Sequence, residues 1–266
     1  MELCPTTHLH QVYEDVDTWW KKHVHADHGK KWYQDAIHYW KGVDATVDGV
    51  LGGFGTVSQV DTSESRAFLH HVLESQRKRT HGRGGRTRAI DCGAGVGRIT
   101  EQLLIHVFDD VDLLEPLPHF LDKAKENLAR AGAWDDGQQQ QGTMRSDGHR
   151  VNHFFQMGMQ DFVPEEKAYD CVWIQWCLGH LDDQACVEFL QRCKKGLKDG
   201  GLVIVKENIS SKGIILDRED SSVTRPHSCW LRLFKQSGLT LVKVENQRQF
   251  PRELFEVKMY ALKPKC

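Results

Sequence analysis

The chain of 266 residues carries a formal net charge of −2 and is 39% hydrophobic, which is enough apolar content for a substantial buried core. A charge this close to neutral excludes a general nucleic-acid coat protein and a polybasic membrane binder. Its eight cysteines form no C-x-x-C pair, and neither a leading signal peptide nor a long apolar span is evident. We therefore expect a soluble intracellular protein with reduced thiols and with no direct nucleic-acid or membrane partner.

The first 30 residues are rich in histidine. The histidines of this segment are His8, His10, His23, His25 and His28. Histidine is a common metal ligand, but no cysteine cluster or tetrahedral ligand spacing accompanies these side chains. We expect residues 1–30 to be a partly disordered extension without a metal site.

Residues 31–86 are predicted to form a helical cap ahead of the main sheet. Residues 31–41 have the spacing of an amphipathic helix. Residues 46–55 (TVDGVLGGFG) contain too much glycine for a helix and too many apolar residues for a simple linker. They are either a loop that folds over a ligand or a tight turn packed on the core. Residues 77–88 are basic and glycine-rich, which is compatible with nuclear import or nucleic-acid contact, but we expect a solvated loop.

Residues 88–100 (RAIDCGAGVGRIT) are the most informative segment of the chain. An apolar strand start runs into Gly93, Gly95 and Gly97 and then into an amphipathic helix. Because glycine lacks Cβ, the backbone can turn tightly, adopt positive φ and let a ligand approach closely, while the helix start offers unpaired N–H groups. The pattern predicts a nucleotide-cofactor loop.

The next apolar run ends at Glu115, whose carboxylate can accept hydrogen bonds from both hydroxyls of a ribose. The loop reads G-x-G-x-G, with Asp91 before it and Arg98 after it, whereas the dinucleotide fingerprint is G-x-G-x-x-G. This spacing favours S-adenosylmethionine over a nicotinamide dinucleotide. That cofactor has a carboxylate and an ammonium in place of a pyrophosphate, so Arg98 and Asp91 or nearby backbone carbonyls are suitable partners.

Apolar runs and helical patterns alternate after the loop, which is typical of a parallel sheet with crossover helices. The predicted strands are residues 87–92, 111–115, 153–157, 169–175, 201–207, 240–245 and 254–262. The last two have no helix between them, so we expect them to pair antiparallel. The prediction is a single α/β domain over residues 31–266, with a seven-stranded, mostly parallel, doubly wound sheet of the Rossmann-like class I methyltransferase type. Residues 132–150, which include the glutamines 138–141, are expected to be a disordered surface insertion.

Five segments together resemble one known family. They are residues 46–55, 91–100 (DCGAGVGRIT), 173–181 (WIQWCLGHL), 206–208 (KEN) and 215–222 (ILDREDSS). From about Tyr39 to Leu262 the chain resembles the protein N-terminal (α-N) methyltransferases, which modify chains beginning Xaa-Pro-Lys once the initiator methionine is gone. Many methyltransferases share the glycine loop, whereas Gln-Trp followed by Gly-His, and the late Leu-Asp and Asp-Ser-Ser, are specific to this family.

The resemblance implies S-adenosylmethionine as the methyl donor and S-adenosylhomocysteine as the product. The implied cofactor residues are Gly93, Gly95 and Arg98 for the methionine end, Glu115 for the ribose, Met159 and Gln160 for the adenine side, and Gln175 to complete the pocket. Family members often have aspartate at the ribose position, so Glu115 is a chemically equivalent departure that is one methylene longer.

The resemblance also implies a peptide channel. Trp40 and Leu51 would wall it, Trp176 would pack on the proline at position two, and Asn208 would hydrogen-bond the peptide near its amino end. The implied residues that read the lysine at position three or the amino terminus are Asp217, Asp220 and Ser222, with Asp220 and His180 as proton acceptors.

Two further departures concern the channel: Glu207 stands where aspartate also occurs, and Phe255 replaces a tyrosine and so loses a hydroxyl. The expected location is nucleus and cytoplasm, and the sequence leaves the oligomeric state open. Two other functions remain open at this stage. They are a methyltransferase for a small metabolite, which requires a compact apolar pocket, and a cofactor-binding scaffold subunit without catalysis.

Overall fold

The computed structural model describes residues 10–13, 19–21, 24–25, 29–80, 85–134 and 150–265, with only the backbone described at 10–13 and 76–80. The α-helices in these ranges are α1 (Lys30–Lys41), α2 (Val47–Val50), α3 (Ser58–Thr80), α4 (Arg98–Gln102), α5 (Pro118–Arg130), α6 (Asp183–Gly196) and α7 (His227–Gln236). The strands are β1 (His10–Tyr13), β2 (Arg88–Cys92), β3 (Asp110–Leu114), β4 (Arg150–Phe155), β5 (Tyr169–Gln175), β6 (Leu197–Ile209), β7 (Ile214–Asp217), β8 (Ser222–Thr224), β9 (Leu239–Asn246) and β10 (Glu256–Pro264).

The main sheet has seven strands in the order β4-β3-β2-β5-β6-β10-β9. The pairs from β4 to β6 are parallel, and β10 is antiparallel to both of its neighbours. The predicted seven-stranded sheet with a reversed final strand is therefore confirmed. From β2 the chain moves first to β3 and β4 on one side and then to β5 and β6 on the other. This reversal creates a crevice at the carboxyl end of β2, where ligands bind in open α/β sheets.

Helices cover both faces of the sheet, as the predicted doubly wound fold requires. Phe68 of α3 and Leu128 of α5 pack on one face, and Phe189 of α6 and Trp230 of α7 pack on the other. Trp173 of β5 is fully buried in the core. Strands β2, β3 and β5 are buried along almost their whole length, because helices cover both faces of the sheet. Full burial of a phenylalanine side chain contributes about 1.5–3 kcal/mol.

A second, three-stranded antiparallel sheet was not predicted. Its order is β1-β7-β8, and β7 and β8 form a hairpin just after β6. Ile214, Leu216 and Val223 of this hairpin are buried. Because side chains alternate between the two faces of a strand, these residues pack one face of the hairpin on the rest of the protein. The hairpin carries Asp217 and Ser222, so it brings the late acidic segment towards the carboxyl end of the main sheet.

Residues 46–55 contain a helix that the glycine count argued against. Helix α2 forms because Thr46 Oγ1 accepts a hydrogen bond from the Gly49 N–H at 2.9 Å, which caps the helix amino end. Asp48 Oδ1 then accepts from the Gly55 N–H at 2.9 Å and closes the turn that follows. Local capping therefore outweighs the low helix propensity of glycine over this single turn.

Other boundaries also differ from the predictions. Helix α3 continues to Thr80, so the basic connection predicted as a loop over residues 77–88 begins as helix, and residues 81–84 lie outside the described ranges. Strand β4 begins at Arg150, within the predicted insertion, and ends at Phe155 instead of residue 157. Strand β6 extends beyond residues 201–207 in both directions. The glutamines 138–141 and most of the histidine-rich start also lie outside the described residues.

Within the described part of the chain, no helix combines the length and the apolar character that crossing a bilayer requires.

Candidate active site

The glycine loop leaves β2 and is held against the end of β3. The N–H groups of Gly93 and Ala94 both donate to the Leu114 carbonyl, at 2.8 and 3.1 Å. Gly93 has φ +71°, and a Cβ built there would lie 2.7 Å from Cβ and Sγ of Cys177. Only glycine therefore fits this position, because both its conformation and its closeness to Cys177 exclude a side chain. The loop backbone thus forms one wall of a cavity.

Two buried carboxylates fix this loop and the helix behind it. Glu115 accepts hydrogen bonds from the Gly95 N–H and from the Leu117 N–H, both at 3.0 Å. These two hydrogen bonds lower the pKa of Glu115, but burial has the larger effect and raises it to about 7. Asp91 accepts from the N–H and hydroxyl of Thr100 at 3.1 and 2.7 Å, and burial raises its pKa to about 6. Asp91 therefore holds the start of α4 through the oxygen that it presents to Thr100.

The first cavity lies over the carboxyl ends of β2, β3 and β5 and encloses about 1150 Å³, its open mouth included. The structure brings the predicted cofactor residues together in its lining: Gly93, Gly95, Arg98, Glu115, Met159, Gln160 and Gln175. Apolar side chains from α1 and α2, among them Ile37, Val50 and Leu51, cover it. This position agrees with the interpretation of residues 46–55 as a segment that folds over a ligand. A mostly apolar cavity with a few placed polar groups is typical of a cofactor site.

Arg98 and Gln175 are held by Asp61, a residue that the sequence analysis missed. Asp61 is fully buried; its Oδ2 lies 2.6 Å from Nη1 of Arg98, and both of its oxygens accept from Nε2 of Gln175 at 3.0 Å. Lys206, also fully buried, lies 2.5 Å from Asp61 Oδ1. Burial alone would raise the pKa of Asp61, but the charges of Lys206 and Arg98 hold it below its ordinary value. No motif marked Asp61, because its partners are distant in sequence.

A second cavity of about 950 Å³, its opening included, adjoins the first. Five residues line both cavities: Trp40, Val50, Leu51, Trp176 and His180. The second cavity is also lined by Asn208, Asp220 and Ser222, all predicted on the substrate side, and by Glu207 and Phe255. The predicted substrate residue Asp217 is not among the residues that line these cavities; it lies at the end of β7, where its Oδ1 accepts from the Glu219 N–H at 2.8 Å. The proposed cofactor and substrate residues thus form two chambers with one shared wall.

Glu207 holds the segment that follows β5 in place. Its Oε1 accepts from the N–H groups of Cys177 and Leu178 at 3.0 and 2.9 Å. Burial raises the pKa of Glu207 to about 7, and these backbone hydrogen bonds act in the opposite direction. The carboxylate thereby orients the residues between Trp176 and His180.

Two buried polar atoms of the second cavity have no hydrogen-bond partner within the described residues: Trp176 Nε1 and Asp220 Oδ1. Burial raises the pKa of Asp220, although nearby His180 and a hydrogen bond from Ser222 act in the opposite direction. Trp176 has φ +55°, which non-glycine residues seldom adopt. Unpaired buried groups and strained backbone concentrate where ligands bind. Trp176 Nε1 is thus a donor, and Asp220 Oδ1 an acceptor, that no described residue satisfies.

The partners of His180 determine which of its ring nitrogens carries the proton. Nδ1 lies 3.0 Å from the Ser221 carbonyl, which can only accept, so Nδ1 is the donor. Nε2 then accepts the indole N–H of Trp40 at 3.2 Å. The His180 carbonyl accepts a further indole N–H, that of Trp32, at 2.7 Å. His180 is therefore braced by three hydrogen bonds.

A ligand cavity at the strand-order reversal of a sheet whose last strand runs backwards defines a class I S-adenosylmethionine-dependent methyltransferase. The residues fit that cofactor, since the glycine loop leaves room for its tail and the buried Glu115 carboxylate can accept hydroxyl donors. The chain belongs to the AdoMet-dependent proline di-methyltransferase family, whose sequence profile matches residues 28–263. The family resemblance identified from the motifs is thus confirmed.

Individual relatives cover nearly the whole chain. It is 43% identical over 265 residues to alpha N-terminal protein methyltransferase 1 of Arabidopsis thaliana, covering 98% of this chain and 91% of that protein. It is 42% identical over 234 residues to N-terminal Xaa-Pro-Lys N-methyltransferase 1 of Bos taurus, covering 88% and 96%. The solved structure of a SAM-dependent methyltransferase from Leishmania major superposes with a TM-score of 0.78 at 37% identity, covering 94% of this chain and 92% of that one.

Proposed function

We propose that this enzyme transfers methyl groups from S-adenosylmethionine to the free α-amino group of proteins that begin Xaa-Pro-Lys after loss of the initiator methionine. One observation carries the proposal: the two cavities share a wall formed by Trp40, Val50, Leu51, Trp176 and His180. A polypeptide that enters the second cavity end-on therefore presents its amino group at the wall of the first. The proposal agrees with the names of the relatives in Arabidopsis thaliana and Bos taurus.

The substrate amine must arrive without its proton. An α-amine has a pKa of about 7.7–8.0, so roughly a tenth or more is neutral at pH 7, against well under a thousandth for a lysine with a pKa of about 10.4. A modest proton acceptor therefore suffices for an α-amine. The bound cofactor supplies a methyl group on a sulfonium, which an amine lone pair can displace in line.

Asp220 is the acceptor that the geometry favours. Asp220 lines the second cavity and its Oδ1 is buried without a hydrogen-bond partner within the described residues, whereas Nε2 of His180 already accepts the Trp40 indole N–H. Asp220 takes the amine proton directly or through a water molecule. His180 holds Trp40 and Ser221 in place around it. The remaining rate enhancement comes from orientation of the amine in a closed channel.

The other channel residues bind the first residues of the substrate. Trp176 offers its ring face to the proline at position two, and its unpaired Nε1–H is available to a peptide carbonyl. Asn208 hydrogen-bonds the peptide near its amino end, and Ser222 contacts the same segment. Asp217 meets the lysine at position three where that side chain leaves the cavity towards β7. We also retain nucleus and cytoplasm as the expected location of the enzyme.

One assay tests the proposal. The protein is incubated with S-adenosylmethionine and peptides that begin Ser-Pro-Lys, Ala-Pro-Lys, Ser-Ala-Lys or acetyl-Ser-Pro-Lys, and the products are weighed by mass spectrometry. Methylation of the two free peptides with proline at position two is expected. Equal modification of the acetylated peptide overturns the α-amine assignment, and equal modification of Ser-Ala-Lys overturns the role of proline. Modification of small amines but of none of these peptides supports a small-metabolite enzyme instead.

A further inference from the structure

A buried charged cluster lies beneath Trp176 and outside the lining of both cavities. It is centred on Asp61 and Lys206, which are both fully buried. Lys206 Nζ lies 2.5 Å from Asp61 Oδ1 and donates to Ser65 Oγ at 2.9 Å and to Gln247 Oε1 at 2.5 Å. Every proton of the ammonium thus has a partner, which is the condition for burying such a charge. The mechanism proposed above uses neither Asp61 nor Lys206.

One arm of this cluster reaches the cofactor cavity. Asp61 Oδ2 pairs with Arg98 at 2.6 Å and, like Oδ1, accepts from Gln175 Nε2 at 3.0 Å. Arg98 and Gln175 both line the cofactor cavity. The Asp61 carboxylate therefore holds the flexible Arg98 side chain in one orientation before any ligand binds.

The other arm reaches the wall that the two cavities share. Lys206 Nζ lies 6.0 Å from the ring centroid of Trp176, and the Lys206 carbonyl accepts the Trp176 N–H at 3.0 Å. Arg98 Cζ is 5.7 Å from the same centroid, so two cations face the ring. The positive φ of Trp176 persists only because its surroundings hold it.

We propose that Asp61 and Lys206 are positioning residues that couple the two chambers. Asp61 orients Arg98 and Gln175 for the cofactor and anchors Lys206, and Lys206 orients the Trp176 ring for the peptide. A well-packed apolar pair in the same place would be no less stable, because burying two charges costs about as much as their attraction returns. Pre-organisation of the two binding walls is what the charged pair adds.

The test uses Asp61→Asn and Lys206→Met in the full chain, with calorimetric titration of S-adenosylhomocysteine and steady-state kinetics on a Ser-Pro-Lys peptide. Loss of one charge-assisted hydrogen bond corresponds to about a tenfold effect. Asp61→Asn is expected to raise both the cofactor-product Kd and the peptide KM by about tenfold or more. Lys206→Met keeps the Asp61–Arg98 pair, so it is expected to raise the peptide KM by about tenfold with the Kd within about twofold.

Asp112→Asn is the matched control. Asp112 is equally buried, accepts from the Tyr169 hydroxyl at 2.7 Å and pairs with Arg88 at 2.7 Å, but it lines neither cavity. A merely structural role predicts that all three variants lower the melting temperature with Kd and KM unchanged, and that result overturns the proposal. If Asp61→Asn does not fold, Lys206→Met alone decides: an effect on Kd and KM alike, or on neither, overturns the coupling. Only the peptide arm rests on the proposed function, because the titrations remain informative if the wild-type chain methylates no Xaa-Pro-Lys peptide.

Discussion

The indole N–H of Trp40 donates to Nε2 of His180 over 3.2 Å, across a separation of 140 residues. Since Nδ1 of the same ring donates to the Ser221 carbonyl at 3.0 Å, both imidazole nitrogens are engaged. The ring therefore connects the helical cap to the hairpin that carries the late acidic segment. Asp220, whose Oδ1 is buried with no partner in the described part of the chain, is therefore the proton acceptor that we propose.

Asp220→Asn and His180→Asn are expected to differ in their effect on turnover. Asparagine at position 180 places its amide where Nδ1 lies and can still donate to Ser221, whereas asparagine at 220 removes the proton acceptor. We expect about a 100-fold or greater loss of single-turnover rate for Asp220→Asn and less than about tenfold for His180→Asn. Rapid-quench assays on a Ser-Pro-Lys peptide at saturating cofactor measure this. Comparable losses in the two variants would contradict the assignment, and cofactor-product affinity serves as the control because it should stay constant in both.

Affinity for S-adenosylhomocysteine is expected to fall as the pH is lowered through about 7. Burial raises the pKa of Glu115 to about 7, and only the ionised carboxylate accepts from both ribose hydroxyls, so protonation weakens binding. The effect of Glu115 on the stability of the free protein has the opposite sense. Between its ordinary pKa of 4.5 and about 7 the folded state binds more protons than the unfolded chain, so its contribution to the free energy of unfolding decreases as pH rises.

Titration calorimetry at several pH values between about 6 and 8 checks the prediction for Glu115. Glu115→Gln cannot ionise and is the control: it should bind more weakly throughout, without the Glu115-dependent part of the pH profile. Identical pH profiles for the variant and the wild type would show that another group is responsible.

Arg225→Met is expected to destabilise the fold by about 3–5 kcal/mol, because it removes one partner of a buried ion pair. Arg225 is fully buried and donates to the carbonyls of Leu178 and Leu181 at 3.2 and 2.7 Å and to Asp183 at 2.9 Å. Urea denaturation of the free protein measures the change in the free energy of unfolding.

The matched variant for that measurement is Arg232→Met. Arg232 pairs with the same Asp183 at 2.8 Å, but its side chain is 48% exposed. An exposed pair contributes about 0–1 kcal/mol, so this variant should stay close to the wild type. Similar losses of unfolding free energy in the two variants would show that burial of the Arg225 guanidinium does not account for its contribution to stability.

Gly93→Ala is expected to abolish measurable binding of S-adenosylhomocysteine and to destabilise the protein. The new Cβ would lie 2.7 Å from Cys177 at φ +71°, so overpacking of about 1–3 kcal/mol adds to the backbone strain. Gly85→Ala separates the two effects, because Gly85 has φ +139° and nothing within 4 Å of a built Cβ. Both variants are denatured and titrated with S-adenosylhomocysteine. Gly85→Ala should lose stability through backbone strain but should keep its ligand binding. Normal ligand binding by Gly93→Ala would exclude a tight loop as the basis of the cofactor site.

The sequence predicted the main sheet well, because its strands are mainly apolar segments separated by amphipathic helices and its final pair lacks a helix between them. It was less successful where several weak local preferences compete. The capped turn at Val47–Val50 and the β7–β8 hairpin were missed, since a single hydrogen-bonded cap or two short strands leave little pattern in the sequence. The glycine loop, Arg98 and Glu115 followed from the motif and its place after the strands, the other cofactor residues from the family resemblance, and all of them line one cavity.

By itself, the amino-acid sequence determined the class of sheet, the cofactor loop and the family, because these depend on periodicity and on motifs that are contiguous in the chain. Only the tertiary structure decided that Asp61 and Lys206 pair beside Trp176, that the Trp40 indole N–H donates to Nε2 of His180, and that Asp217 lies outside the lining of the two cavities. These relationships join residues far apart in sequence through burial and hydrogen-bond geometry. Neither leaves a local signature, so each becomes visible only when the chain is folded.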